Sequence, residues 1–215
     1  SEVTNMIITG IWETLYMTLV STLVGYVIGL PMGIILTVSD KDGIKPNAVL
    51  YKILDVIANI VRSVPFIILL VLLIPFTRLV VGKSYGSTAT IVPLVIAAAP
   101  YIARMVESSL KEVDAGVIEA ARSMGASNFT IITKVMLVEA RTSLLVGATI
   151  TLGTILGYSA MSGAVGGGGL GAIAIRYGYT RWQTDIMIVT VILLIILFQI
   201  FQTVGMKLAD KFDHR

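Results

Sequence analysis

Three glycines, Gly166, Gly168 and Gly171, stand at the spacing Gly-x-Gly-x-x-Gly. Between a strand and a helix that spacing would cradle a pyrophosphate on backbone N–H groups. Gly82-Lys83-Ser84 has the ending of a phosphate-binding loop, in which the lysine and hydroxyl would serve phosphate and magnesium. Neither context fits. The three glycines follow an apolar run of helix length rather than a strand, and are expected to form a flexible or tightly turned loop. The first glycine of the other loop would stand at position 77, which is Thr77. Nucleophilic chemistry fares no better. There is no cysteine, and Ser162-Gly163 has no histidine to activate it. His214, the only histidine, falls in a charged tail, where no metal or catalytic role is expected. Inside the apolar runs the one carboxylate is Asp55. An intramembrane hydrolase would need a nucleophile with a base, or paired carboxylates. No catalytic residue, no metal site and no nucleic-acid partner is therefore expected.

The elements that could position these residues are set by solvent. Of 215 residues 56% are apolar and 13% charged, whereas soluble domains carry about a quarter charged residues. Such a chain cannot cover itself with a water-compatible surface, so the bilayer is the expected solvent. A span takes roughly 20 apolar residues. Five segments qualify, at about 15–38, 53–81, 84–103, 142–163 and 186–206. Lipid gives backbone groups no partners, so these are helices and the fold class is all-α, a polytopic membrane protein. In the second span the uncharged centre runs only from Ser63 to Thr77. Arg62 and Arg78 are then expected to reach the two interfaces. The opening residues Ser1-Glu2-Val3-Thr4 lack the positive leader of a cleavable signal.

Charge sets the direction. With the N-terminus outside, the inner segments hold Lys41, Lys45, Lys52, Arg62, Arg104, Lys111, Arg122, Lys134, Arg141, Lys207, Lys211 and Arg215. The outer segments hold Arg78, Lys83, Arg176 and Arg181. Cytoplasmic segments carry the Lys/Arg excess, so the N-terminus is expected outside and the C-terminus in the cytoplasm. Trp12, Tyr16, Tyr177, Tyr179 and Trp182 then fall near the outer interface, a depth that suits amphipathic rings.

Packing signals are also present. Ser21, Gly25, Gly29 and Gly33 recur every four residues and share one helix face. Gly153 and Gly157 repeat the device in the fourth span. Small-residue ridges let helix backbones approach where lipid supplies no hydrophobic drive. Pro31, Pro65, Pro75, Pro93 and Pro100 fall within spans and are expected to kink them.

Between the third and fourth spans lies the longest charged segment, 104–141. It reads as two short helices. The first runs from Val113 to Met124, with Val113, Val117, Ala121 and Met124 on one face. Gly125 follows where a left-handed residue closes a helix. Ser127 stands as N-cap of the second, which continues through Leu137, with Asn128 and Lys134 free to face water. An amphipathic pair of this kind can dock into a groove on a partner.

The run Ile118-Glu119-Ala120-Ala121-Arg122-Ser123-Met124-Gly125-Ala126-Ser127 resembles the Glu-Ala-Ala loop of the permease subunits of ABC importers. Val138 stands where that family usually has proline. Two further stretches narrow the likeness. Arg62-Ser63-Val64-Pro65-Phe66 looks like the start of the second span in amino-acid permeases. Gly157 to Gly171, with Arg176-Tyr177-Gly178-Tyr179, is similar to the methionine importer permeases.

The resemblance implies a single transmembrane domain over 1–215 in a bacterial cytoplasmic (inner) membrane. It implies that Glu119, Ala120, Ala121, Arg122, Met124, Gly125, Ala126 and Ser127 form a coupling helix gripped by an ATP-binding cassette ATPase dimer. ATP and magnesium then belong to that partner, with no cofactor on this chain. A second copy of the chain completes the pathway, and an extracytoplasmic methionine-binding protein delivers substrate. Met161 is the candidate outer gate, with Tyr158, Ser159 and Ser162 beside it. A permease for another amino acid of the same importer class is the alternative, and an intramembrane hydrolase the distant one.

Overall fold

The computed structural model describes residues 1–213. His214 and Arg215, both read in the tail above, lie outside the described residues. The regular elements among the described residues are all helices, with no strand. Four helices are long and apolar enough to cross a membrane, and five spans are reached if one bent pair counts as a single span.

Helix α1 (Glu2–Ser39) begins thirteen residues before the apolar run expected at 15. Ser1 caps it by accepting from the Thr4 N–H at 3.3 Å. Hydropathy marks the lipid-embedded part of a helix, whereas intrahelical hydrogen bonds carry the helix on into polar surroundings. At about 1.5 Å per residue α1 is roughly 57 Å long, well over the ~30 Å hydrocarbon layer.

The second expected span, 53–81, is not one helix. It divides into α2 (Ala48–Ser63), α3 (Phe66–Leu72) and α4 (Ile74–Val81). Between α2 and α3 the axis turns by 101°. Pro65 has no N–H to continue the helix, and it drives the residue before it out of the helical region. Val64 is accordingly extended at φ −83°, ψ 124°. Arg62 is thereby placed at an elbow rather than at the end of a straight span.

Helix α5 (Gly86–Lys111) runs eight residues beyond the expected end at 103. Residues 104–111, read as loop, are its last two turns. They stay helical because their charges find partners there. Arg104 binds Asp55 and Asn59 of α2 and reaches Glu107 at 3.2 Å. Lys111 pairs with Asp40 at the end of α1, 2.7 Å away. The Lys111 hydrogen bond holds the Asp40 carboxyl below its ordinary range.

The glycine ridge of α1 lies against α5. A Cβ on Gly29 would stand 2.7 Å from the Ala99 carbonyl oxygen, and one on Gly33 2.6 Å from that of Ala103. The two backbones touch, as the small-residue spacing suggests. Gly25 meets Ala98 and Ile102, and Ser21 is fully buried on the same line. Pro31, Pro93 and Pro100 sit inside α1 and α5 without ending them.

Helix α6 (Ala115–Ser123) is followed by α7 (Asn128–Thr130), a π-helical turn (Ile131–Met136) and α8 (Leu137–Glu139). Helix α9 (Arg141–Ser162) then crosses back, and α10 (Gly169–Ile173) continues as a π-helical turn (Ala174–Thr180). Helix α11 (Thr184–Lys211) closes the bundle. Gly153 lets Phe198 of α11 pack against α9, whereas a Cβ on Gly157 would meet nothing within 4 Å. The glycine loop after α9 is tight. Gly166 and Gly169 are left-handed at φ 90° and 83°. The Gly86 N–H donates to the Gly166 carbonyl at 2.9 Å, and the Leu170 N–H to the Thr14 hydroxyl at 2.9 Å. Trp12, Tyr179 and Trp182 at this end are exposed.

Candidate functional site

Asp114 starts α6 by accepting from the Gly116 N–H at 2.8 Å, an N-cap. Gly125 ends it at φ 86°, a left-handed backbone that L side chains avoid. Ser127 starts the next helix by accepting from the Thr130 N–H at 3.2 Å. Turn chemistry therefore places all three corners of the 115–130 segment.

The faces of α6 differ from the expected stripe. Ala121 is buried in the main core cluster, with Ile118 and Val113 packed against it. Met124 is 83% exposed, and Val117 is exposed as well. The stripe at spacings of four, four and three is thus split, because a nine-residue helix lying on the bundle buries only the residues directly beneath it. Ala121 packs within this chain's own core. Ala120 and Glu119 face outward. Phe129, to which the sequence assigns no role, is 74% exposed, five residues beyond Met124 in the chain. One bulky aromatic in a polar loop has no periodicity to announce it. The outward surface is thus Glu119, Ala120, Met124 and Phe129, with Ser127 and Ala126 at the turn.

The segment is held rigidly. The Arg122 guanidinium donates to the Ile44 carbonyl at 3.1 Å, strapping α6 to the connection between α1 and α2. Ile131 and Met136 are buried in the same core as Ala121. A cavity of about 490 Å³ remains between α6 and the ends of α1 and α5, lined in part by Asp40, Lys111, Glu119 and Arg122. With valine at 138 the helix runs to Glu139 and breaks at Ala140.

At the other end of α9, Tyr158 stacks on Phe66, with ring centroids 4.4 Å apart and planes 7° from parallel. Met161 is 48% exposed and Gly157 lies open on the same side. Ile150 is exposed eleven residues before Met161, so one stripe of α9 is uncovered by this chain. Ser159 and Ser162 are fully buried. They donate to the Leu156 and Ser159 carbonyls at 2.7 and 2.5 Å. Neither hydroxyl is presented to a solute, since in apolar surroundings each is satisfied on its own helix. No group of three or more His, Asp or Glu that could hold a metal occurs among the described residues.

This architecture defines a polytopic α-helical membrane protein with a braced helical corner at one end and an uncovered face along α9. A family model described as "Binding-protein-dependent transport system inner membrane component" matches residues 25–215. The chain belongs to that family, and is an inner-membrane protein. It is 50% identical over 212 residues to the probable D-methionine transport system permease protein MetI of Vibrio cholerae, covering 99% of this chain and 94% of the relative. It is 49% identical to the Pasteurella multocida protein of the same name, covering 94% of each. Among solved structures it matches a chain of the MetNI methionine ABC transporter in an inward facing conformation. That match has TM-score 0.96, 50% identity and 98% coverage of both chains. A more distant amino acid ABC transporter, at 22% identity and TM-score 0.79, shares the fold.

Proposed function

We propose that this chain is the membrane-spanning permease subunit of an ATP-driven methionine importer. Residues 1–215 act as one transmembrane domain with the N-terminus outside. Two copies form the translocation pathway and a separate ATPase hydrolyses ATP. The observation that carries this reading is the braced α6 segment. Its inner side is fixed by Ala121 and the Arg122–Ile44 strap, while Glu119, Ala120 and Met124 are free to meet a partner. A handle gripped on one side and rigidly joined to α1, α2 and α5 on the other transmits motion rather than absorbing it. The 50% identity to relatives named for D-methionine transport supports methionine as the solute.

When the ATPase subunits close on ATP, the α6 segments move with them and rotate the two permease halves. The uncovered stripe of α9 lines the route. Met161, flexible and apolar, seals it at the glycine-loop end, with Tyr158 holding the α9–α3 contact beneath. The tight loop at Gly166–Gly169 keeps that end fixed against α1 and α5.

Reconstitution of this chain with its ATPase and binding protein in liposomes tests the reading. ATP-dependent uptake of labelled methionine is expected, and Gly125→Leu is expected to abolish both uptake and the ATPase stimulation. Uptake unaffected by Gly125→Leu contradicts coupling through this segment.

A further inference from the structure

The elbow in the second span carries a charge with nothing to balance it. Arg62 is in the last turn of α2, immediately before the 101° bend. Its depth follows from the contacts on either side. Nearer the start of α2, Lys111 lies over the ring of Tyr51, and further along Asp55 and Asn59 bind Arg104. Helix α2 therefore climbs antiparallel to α5, from its end towards its middle. Beyond the elbow, Phe66 stacks on Tyr158. One turn before Tyr158, the Thr154 hydroxyl meets the Tyr101 hydroxyl at 3.5 Å. Arg62 thus stands past the level of Arg104, near the middle of α5 and within the apolar layer.

Arg62 is exposed and makes no hydrogen bond, ion pair or ring contact among the described residues. An unpaired guanidinium at that depth does not face lipid. It faces the bundle interior or water. The two sides of α2 agree. Exposed Ile53, Ile57 and Ile60 form one stripe suited to lipid or to a second copy. Asp55, Asn59 and Arg62 fall on the opposite side of the helix. Arg62 is the last polar group of a ladder that leads from the α6 end of the molecule to mid-depth. There Ser63 is exposed and, across the Phe66–Tyr158 stack, Gly157 lies open.

We propose that Arg62 is a substrate contact in the route, binding the α-carboxylate of the amino acid in transit. The planar guanidinium offers two parallel N–H donors whose spacing matches the two oxygens of a carboxylate. The contact deepens the importer reading above and rests on it. It assigns to this chain a requirement for a free carboxylate, independent of the side chain carried.

The experiment uses the complete importer in proteoliposomes, with Arg62→Gln and Arg62→Lys beside the unsubstituted chain. Three quantities are read: assembly with the ATPase, ATP hydrolysis stimulated by loaded binding protein, and methionine taken up per ATP hydrolysed. The inference predicts normal assembly and stimulated hydrolysis within about twofold. It predicts at least a tenfold fall in uptake per ATP for Arg62→Gln and partial recovery with Arg62→Lys. Uptake per ATP unchanged by Arg62→Gln overturns it. So does loss of assembly in both variants, which would make Arg62 an interface residue. Absence of methionine uptake by the unsubstituted complex contradicts the importer reading itself, and that result is distinguishable from the other two.

Discussion

The guanidinium of Arg122 donates to the backbone carbonyl of Ile44, 3.1 Å away and 78 residues earlier in the chain. One hydrogen bond thereby joins the exposed α6 segment to the connection between the first two long elements. On the proposed reading, this bond is the path by which a displacement of α6 reaches the ends of α1 and α2. Its other anchors are apolar, with Ala121 buried in the core and Ile118 packed against it.

Arg122→Ala is expected to loosen that joint without unfolding the bundle. A net loss on the order of 1 kcal/mol is expected for one such hydrogen bond. Thermal unfolding in detergent should shift little. ATPase stimulation by loaded binding protein should fall about three- to tenfold. Equal loss of stability and stimulation would make the strap structural only.

Gly33 and Gly157 should respond oppositely to alanine. In Gly33→Ala the new Cβ meets the Ala103 carbonyl at 2.6 Å, so α1 and α5 must separate. Overpacking of this kind costs about 1–3 kcal/mol. In Gly157→Ala the Cβ enters open space, and helix propensity favours alanine by about 1 kcal/mol. The first variant should unfold at lower temperature and the second at the same or a higher one. Because Gly157 lies on the proposed route, its effect should fall on uptake.

Met161→Ala should leave folding intact, since the side chain is half exposed. It should open the glycine-loop end, seen as methionine leaking from loaded proteoliposomes without ATP. Met161→Trp should slow uptake severalfold. Tight vesicles with the alanine variant would remove Met161 as the seal.

The Asp40–Lys111 pair predicts an acid-sensitive step. The Lys111 hydrogen bond depresses the Asp40 carboxyl pKa in the fold. A depressed carboxylate contributes stability above its unfolded pKa and loses it as pH falls through the lower folded value. Asp40 is near the surface, so the contribution is modest. Unfolding temperature measured from pH 7 down to 3 should show a steeper acid limb for the native chain than for Asp40→Asn. Coincident limbs would show that the pair contributes nothing.

Much of this was readable beforehand, for identifiable reasons. Solvent dictates the all-α fold, and the spacing of Gly25, Gly29 and Gly33 announces a helix contact, though not that Ala99 and Ala103 receive it. Gly125 and Ser127 act at corners where backbone chemistry is local, so their roles follow from residue type. Three things were not legible. Hydropathy cannot tell a straight span from one broken at Pro65, because both are equally apolar. It reads Arg104 and Lys111 as loop charges, since their partners Asp55 and Asp40 lie far off in sequence. A stripe drawn on α6 does not say which side the bundle covers, so it shows neither that Ala121 is buried while Met124 is exposed nor that Phe129 stands free.

The central claim is that the α6 segment faces the cytoplasm and is gripped there by an ATPase. The chain has no cysteine, so Ala120→Cys introduces one outward-facing thiol. Its labelling by a membrane-impermeant maleimide, in right-side-out and inside-out vesicles with and without bound ATPase, is the direct measurement. The account predicts reaction only in inside-out vesicles and protection when the ATPase is bound. Labelling from the outer side, or labelling indifferent to the ATPase, contradicts it.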